Sequence, residues 1–301
     1  MNRASIDLGT NTCLLLIQDE RDGTETVLHD ESTVVRLGQD VDRTGELNPE
    51  AMNRAFDCLT RYASVVRVHG LDPSQVVAVA TAQARDAKNA KPFFDRIQNQ
   101  LGFRFRVLSG DEEARATFLG AALPGMDPSK MIVMDIGGGS TEIVSLSGGK
   151  SLNIGAVRMT ERYLKSDPVT DEEFWACEKA VDEALEAMLD FGKSVSGTPQ
   201  FVAVAGTAVT LAMLQRGDSE YRREAIDGMT LSRGDAHRWV EELKWRSVEE
   251  RKKMPGMDVK RADVLLAGAL IFWRVMERLN FPTATVSSRG IRYGVLKKLG
   301  D

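Results

Sequence analysis

Hydrophobic and polar positions follow two periods in the first half of the chain, and their order predicts an α/β fold. Short apolar runs bounded by turn residues are typical of strands, and they lie at 3–7, 12–17, 33–37, 75–81 and 103–108. Helical stripes lie at 49–69, around 93–97 and at 112–123. Asn48 before Pro49 marks the start of the first helix, and Gly70 marks its end.

The second half begins the same alternation again. Strands are predicted at 131–136, 141–146, 151–157 and 284–288. The run at 201–214 predicts a strand, a Gly-Thr turn and a helix. Helices are predicted from a capping box of Thr170 and Glu173 to about Lys193, over 262–279, and at the C-terminal end. The helix at 262–279 contains charged residues, so we predict a buried helix and not a membrane span.

Two segments of the chain resemble each other. SIDLGTNT at 5–12 and VMDIGGGST at 133–141 both place an aspartate at the end of an apolar strand, before a glycine-containing turn. This repetition predicts two similar α/β domains that face each other across a cleft, where ligands commonly bind.

Composition and charge exclude several classes of protein. The net charge of −5 argues against a general nucleic-acid or membrane binder. The N-terminus lacks the apolar core of a signal peptide, so a cytoplasmic protein is expected. Cys13, Cys58 and Cys177 are far apart in apolar surroundings, which predicts core residues and neither a disulfide framework nor a zinc site.

The glycine-rich turn at 137–139 has the composition of an anion site. Glycines remove the Cβ atoms that would keep a ligand from the backbone, and free amides in a tight turn bind phosphate. Asp135 and Glu142 flank the turn, and paired carboxylates suit Mg²⁺ that retains its waters. A glycine-rich hairpin with solvated acids is the alternative. The glycines here do not have the spacing that the dinucleotide-binding fingerprint or the Walker loop requires, so neither motif is present.

A second acidic cluster lies in SGDEEAR at 109–115. Acids in a first helical turn favour the helix dipole, and Ser109 with Glu112 forms a predicted capping box, so a structural role is one interpretation. Glu113 is not needed for capping, and it is a candidate for the chemistry. Arg85 follows a predicted buried strand and is a basic candidate for a site.

At these residues the sequence resembles the exopolyphosphatase and guanosine pentaphosphate (pppGpp) phosphohydrolase family, within the larger group of actin, sugar kinases and chaperone ATPases. The resemblance covers nearly the whole length and rests on DLGTNT, ATAQARDAKNA, SGDEEAR, DIGGGSTE and VSSRGIRYG. It implies two actin-like, ribonuclease H-like (ASKHA) domains at 1–126 and 127–301, with the last helix, about 290–301, able to pack back on the first domain. The C-terminal helical domains of longer members are not expected.

The resemblance also implies a function and a site. The expected activity is release of terminal orthophosphate from polyphosphate, by Mg²⁺-assisted attack of a water that Glu113 orients. It leaves pppGpp open as a further substrate and a homodimer open as the assembly. Asp135 and Glu142 match the acids around magnesium. The expected substrate-binding residues are Thr10, Asn11, Thr12, Arg85, Gly137, Gly138, Gly139, Ser140, Thr141, Gly206, Thr207 and Arg261.

Some positions depart from the family pattern, and two other functions stay open. Thr10 and Thr12 replace common serines, Tyr293 replaces a common glutamate, and VAGTAVT differs from the more frequent GTSGT-type loop. The alternatives are a small-molecule kinase of the same superfamily and a nucleotide-binding sensor or assembly protein. The placement of SGDEEAR favours the phosphatase.

Overall fold

The chain forms two compact α/β units. A computed structural model describes residues 1–21, 24–189, 191, 199–218 and 220–297. Unit 1 contains Met1–Gly120 together with the described residues from Ile291 onward, and unit 2 contains Ala121–Gly290. The division therefore lies at 120/121, whereas the predicted boundary was at 126/127.

Unit 1 is built on a mixed five-stranded sheet. Its strands are β1 (Asn2–Leu8), β2 (Thr12–Arg21), β3 (Thr24–Val34), β4 (Val77–Ala80) and β5 (Phe105–Val107). Their order is β3-β2-β1-β4-β5, with β1, β4 and β5 parallel and β1, β2 and β3 antiparallel. Its helices are α1 (Val41–Thr44), α2 (Pro49–Val68), α3 (Ala82–Asp86), α4 (Ala90–Leu101) and α5 (Gly110–Ala121), with a 3₁₀ turn at Pro73–Gln75.

The third strand differs from its prediction. The strand is Thr24–Val34, and the predicted strand at 33–37 is wrong beyond Val34. β3 lies at the sheet edge, and edge strands carry charged and polar side chains that hide their apolar signal. The apolar residues at 35–37 belong instead to a loop that binds the β1–β2 turn.

Unit 2 is built on a mixed six-stranded sheet. Its strands are β6 (Met131–Ile136), β7 (Thr141–Ser145), β8 (Gly148–Leu152), β9 (Gln200–Val204), β10 (Thr230–Ser232) and β11 (Thr283–Val286), in the order β10-β11-β9-β6-β7-β8. Its helices are α6 (Ala156–Tyr163), α7 (Asp171–Leu185), α8 (Ala205–Arg216), α9 (Arg223–Ile226), α10 (Arg233–Lys244), α11 (Val248–Arg251) and α12 (Leu265–Arg278). Further 3₁₀ turns lie at Pro128–Lys130, Glu186–Met188 and Val259–Arg261.

Three predictions in unit 2 need correction. The predicted strand at 151–157 ends at Leu152, and α6 begins at Ala156. The predicted helix to Lys193 ends at Leu185 and continues as a 3₁₀ turn, and Lys193 lies outside the described residues. The predicted Gly-Thr turn is the first turn of α8.

The core of unit 2 surrounds α12, whose residues are buried from Leu265 to Phe272. The prediction of a buried helix at this position is confirmed. None of the helices that the structure describes is long and apolar enough to span a membrane.

The C-terminal segment completes unit 1. After unit 2 the chain forms α13 (Ile291–Gly294). Arg292 donates two hydrogen bonds to the Asp30 carboxylate, at 3.0 and 3.1 Å, and the Tyr293 hydroxyl donates a third at 3.0 Å. A Cβ at Gly294 would lie 1.7 Å from the Ala116 carbonyl oxygen, so α13 approaches α5 at a distance that only glycine permits. α13 therefore supports the helix that carries Glu113.

Candidate functional site

The two sheets contain hairpins of the same geometry at the segments that resemble each other. In the β1–β2 turn the Gly9 amide donates to the Thr12 carbonyl at 2.8 Å, and in the β6–β7 turn the Gly137 amide donates to the Ser140 carbonyl at 3.0 Å. The surrounding strand order is also the same, β3-β2-β1-β4 in unit 1 and β8-β7-β6-β9 in unit 2. The sequence repetition therefore corresponds to a structural repeat.

The carbonyl groups of the glycine-rich turn in unit 2 all bind the start of α6. The carbonyl oxygens at 137–139 accept hydrogen bonds of 2.8–3.0 Å from backbone and side-chain donors of residues 156–158. Because a trans peptide points its N–H opposite to its C=O, the amides at 138–140 point away from α6. Successive amides that point to one side form an anion-binding concavity. The amides of this turn therefore have the arrangement that such a concavity requires.

Gly155 makes this arrangement possible. It is buried directly before α6, and a Cβ there would lie 2.4 Å from the Gly138 carbonyl oxygen and 2.6 Å from the Gly139 carbonyl carbon. Only a residue without a side chain lets the helix start approach the turn this closely. The apolar pattern predicts a strand at Gly155, and this role of the glycine was not predicted.

The turn in unit 1 is organised in a similar way. The Thr10 carbonyl accepts from the Gly38 amide at 2.8 Å, and the Asn11 carbonyl accepts from the amides of Val35 and Arg36 at 2.9 and 3.0 Å. The amides of the following peptide groups therefore point away from the loop at 35–38. Asn11 is 4% exposed, and its side-chain Nδ2 has no hydrogen-bond partner among the residues that the structure describes. A buried donor of this kind calls for a further partner, such as a ligand or an ordered water.

Asp135 and Glu142 form a carboxylate pair on one face of the second sheet. They lie directly opposite each other on β6 and β7, so their side chains share a face. Their neighbours Met134 and Ile143 pack into the core on the other face. Both carboxylates are buried, and Glu142 accepts a hydrogen bond from the Ser151 hydroxyl at 2.6 Å.

This donor set fits magnesium. Among the described residues there is no group of three or more His, Cys, Asp or Glu that could hold a metal ion. Mg²⁺ usually keeps several waters and binds one or two carboxylates together with substrate phosphates. Two buried carboxylates beside an anion-binding turn provide hard oxygen ligands of that kind.

Glu113 is a buried carboxylate in the first turn of α5. The predicted capping box is confirmed, because the Ser109 amide donates to Glu112 at 2.8 Å and the Glu112 amide donates to the Ser109 hydroxyl at 3.2 Å. Glu113 takes no part in that box and is 5% exposed. Arg85 Nη1 donates to Glu113 Oε2 at 2.7 Å and to the Leu108 carbonyl at 2.7 Å. The structure therefore joins two predicted site residues in one ion pair.

Gly206 and Arg261 are also brought together. A Cβ at Gly206 would lie 2.1 Å from Arg261 Nη1, so the guanidinium group lies on the backbone at the start of α8. Burial lowers the pKa of Arg261, while the nearby Asp258 carboxylate, which accepts from Arg261 Nε at 3.2 Å, opposes that shift. Thr207 is buried beside Gly268 of α12.

The predicted site residues are divided between the units. Thr10, Asn11, Thr12, Arg85 and Glu113 belong to unit 1, and Asp135, the turn at 137–141, Glu142, Gly206, Thr207 and Arg261 belong to unit 2.

Gln83 is a further candidate site residue, which the sequence did not predict. Its amide contacts both Leu8 and Thr10 of the β1–β2 turn. Its only sequence signal is a polar residue among the small residues of ATAQAR.

Comparison with known proteins identifies the family. The sequence model of the Ppx/GppA phosphatase family matches residues 16–300. The chain belongs to this family. It is 36% identical over 315 aligned positions to a protein named Exopolyphosphatase 2 from Mycobacterium tuberculosis, and the alignment covers 98% of each chain.

Solved structures of family members have the same fold. A crystal structure described as an exopolyphosphatase-like protein is 32% identical, with a TM-score of 0.90 over 100% of this chain and 99% of that one. An Aquifex aeolicus PPX-GPPA enzyme is 31% identical, with a TM-score of 0.80 over 98% of both chains. The predicted α/β fold with two actin-like units is confirmed.

Proposed function

We propose that this phosphatase-family chain is an exopolyphosphatase, which hydrolyses the terminal phosphoanhydride bond of inorganic polyphosphate. The observation that carries the proposal is the buried Glu113 carboxylate, which is not used for capping and is fixed by Arg85. The two amide-lined turns, which suit a polyanionic chain, add support. The relative named Exopolyphosphatase 2 shares 36% of its residues with this chain.

The chemistry assigns a role to each group of unit 1. Glu113 accepts a proton from the attacking water and orients this water so that the water oxygen faces the terminal phosphorus. The new P–O bond forms to this water oxygen as the bridging P–O bond breaks, and the shortened polyphosphate leaves with the electron pair. Arg85 uses one of its three guanidinium nitrogens for Glu113 and Leu108. Its remaining donors serve a phosphoryl oxygen. Phosphoryl transfer depends mainly on such positioning and charge stabilisation.

Unit 2 contributes a phosphate turn and the carboxylate pair. The amides at 138–140 bind phosphoryl oxygens, and Arg261, held by Asp258, adds a partly buried positive charge. Asp135 and Glu142 would hold Mg²⁺ directly or through water, and the bound ion would neutralise charge on the phosphates. The pppGpp 5′ terminus contains the same kind of phosphoanhydride, so we include it as a second substrate.

A substrate panel tests the proposal. Phosphate release would be measured with long-chain polyphosphate, tripolyphosphate, pppGpp and ATP at matched terminal-phosphate concentration, with Mg²⁺ and with chelator. Mg²⁺-dependent release from polyphosphate is expected. No release from any substrate by the folded protein would contradict the proposal, and formation of ADP together with a phosphorylated alcohol or carboxylate acceptor would indicate a kinase.

The carboxylate pair has its own test. Asp135→Asn should lower phosphate release, and high Mg²⁺ should restore part of it because the remaining Glu142 still offers a ligand. Asp127→Asn is the matched control, since Asp127 is a half-exposed acid of the same unit. A loss in Asp135→Asn that does not respond to Mg²⁺ would contradict the ligand assignment.

A further inference from the structure

Gln83 is a buried amide that connects α3 to the phosphate turn of unit 1. It is 2% exposed, and its Nε2 donates to the Leu8 carbonyl at 2.7 Å. Its Oε1 lies 3.2 Å from the hydroxyl oxygen of Thr10. Because α3 also carries Arg85, which binds Glu113, one short helix fixes groups of both the turn and α5.

These contacts determine the direction of the Thr10 hydroxyl proton. A carbonyl oxygen accepts only, so the Gln83 atom that faces Leu8 must be the NH₂ group and the atom that faces Thr10 must be the oxygen. The reverse orientation would place two oxygens 2.7 Å apart without a proton between them. The Thr10 hydroxyl must then donate to Gln83.

The side-chain rotamer of Thr10 is fixed as well. A Cβ at Gly38 would lie 2.3 Å from Thr10 Cγ2 and 3.2 Å from Gln83 Cβ, so the Thr10 methyl group packs against the Gly38 backbone. In this rotamer the methyl group fills the space that the missing Gly38 side chain leaves, and the hydroxyl faces Gln83. Thr10 is buried, with 7% of its surface exposed.

We propose that Gln83 is a positioning residue that turns the Thr10 hydroxyl into a hydrogen-bond acceptor for water in the site. A phosphoryl oxygen at neutral pH has only lone pairs, so it cannot bond to a hydroxyl whose proton is already donated to Gln83. A water molecule can donate a hydrogen bond to the Thr10 oxygen, because it has two protons to donate. A water oriented for attack needs hydrogen-bond acceptors for its protons. The Glu113 carboxylate is one acceptor, and Thr10 Oγ1 is a second. The inference rests on the proposed hydrolysis, and it gives the Thr10 hydroxyl a role other than a direct contact with the substrate.

Thr10→Val is the first test, because it removes the hydroxyl and keeps the shape. An acceptor for water contributes to the reaction step, so kcat should fall about tenfold while KM for polyphosphate stays within about twofold. If Thr10 instead donates to phosphate, the loss of that bond should raise KM about tenfold or more, since hydrogen bonds to charged groups are worth about 1.5–3 kcal/mol. That result would overturn the proposal.

Gln83→Met is the second test. Without the Gln83 oxygen, the Thr10 proton is released to a phosphoryl oxygen, so we expect kcat to fall and the affinity for tripolyphosphate to rise about tenfold. If Gln83→Met only loosens the β1–β2 turn, the affinity for tripolyphosphate should fall instead. In the Thr10→Val background, Gln83→Met should no longer raise the affinity for tripolyphosphate, because the hydroxyl through which Gln83 acts is gone. Equal effects in both backgrounds would refute the positioning role.

Controls separate this inference from the proposed function. Gln18→Met replaces another buried glutamine of unit 1, on β2, and should leave the affinity unchanged. Tripolyphosphate affinity is measured by calorimetry with chelator present, so it does not require turnover. A wild type that binds tripolyphosphate but releases no phosphate would contradict the proposed function, and the affinity of Gln83→Met would still decide the proton direction. Weaker binding by that variant would overturn the inference alone.

Discussion

Replacement of Gly155 by alanine tests whether the contact between α6 and the glycine-rich turn organises the proposed phosphate site. The backbone at Gly155 is extended, with φ −145° and ψ 161°, so alanine meets no conformational penalty there. The entire effect must come from the new methyl group. It would lie 2.4–2.6 Å from three backbone atoms of Gly138 and Gly139.

The size of the effect follows from these distances. Carbon atoms pack at about 3.5–4.0 Å, so the start of α6 must move by roughly 1 Å. The hydrogen bonds from residues 156–158 to the turn, now 2.8–3.0 Å, would then lengthen, and about one of them would be lost. Overpacking costs about 1–3 kcal/mol, and each lost bond costs about 1 kcal/mol. We expect unfolding free energy to fall by about 2–4 kcal/mol.

Thermal unfolding and phosphate release measure the two consequences. A loss of this size lowers Tm by about 4–16 °C in a domain of 150–250 residues. Phosphate release should fall by roughly 100-fold although the protein stays folded, because a 1 Å displacement of a positioning group has that effect. Gly234→Ala is the matched control, since that glycine lies exposed in the first turn of α10 and a Cβ there meets only Ser232 Oγ at 3.7 Å. A Gly155→Ala protein with wild-type Tm and release would refute the reasoning.

Two further predictions concern stability. Ala205 has φ +65° at the start of α8, so Ala205→Gly should raise the unfolding free energy by about 1 kcal/mol in urea titration, and a decrease would contradict the backbone strain. Burial of Glu31 opposes its ionisation, but hydrogen bonds from Arg61 and His29 outweigh burial and lower the pKa of its carboxyl. Since the folded-state pKa lies below the unfolded value of about 4.3, this stabilisation is complete above that pH and is lost as the pH falls through the folded-state pKa. Glu31→Gln should therefore be less stable than wild type at pH 7 and approach it in acid, and a constant difference would contradict the ion pair.

Local sequence signals predicted much of the fold because their physical causes are local. The helix after Asn48 and the capping box at Ser109 depend on side chains that bind amides two or three residues away. The pairing of Asp135 with Glu142 follows from a tight turn between two strands. Such features are visible in a short stretch of sequence.

The remaining features depend on contacts that are distant in sequence. Gln83 acts on Thr10, 73 positions earlier, and nothing around Gln83 indicates that partner. The start of α6 depends on hydrogen bonds to carbonyl groups of the preceding hairpin, so an apolar run at 151–157 was read as a strand. Arg261 and Gly206 meet only after the fold is complete.

Phosphate release from long-chain polyphosphate by Glu113→Gln and Glu112→Gln, measured side by side with Mg²⁺, tests the central claim most directly. The two glutamates are neighbours on α5, and each substitution replaces one carboxylate oxygen with the NH₂ group of an amide. Glu112 serves the capping box, and glutamine can still accept from Ser109, so Glu112→Gln should keep wild-type release. Glu113→Gln should fold normally and lose at least about 100-fold in kcat. Equal release by the two variants would contradict a catalytic role for Glu113.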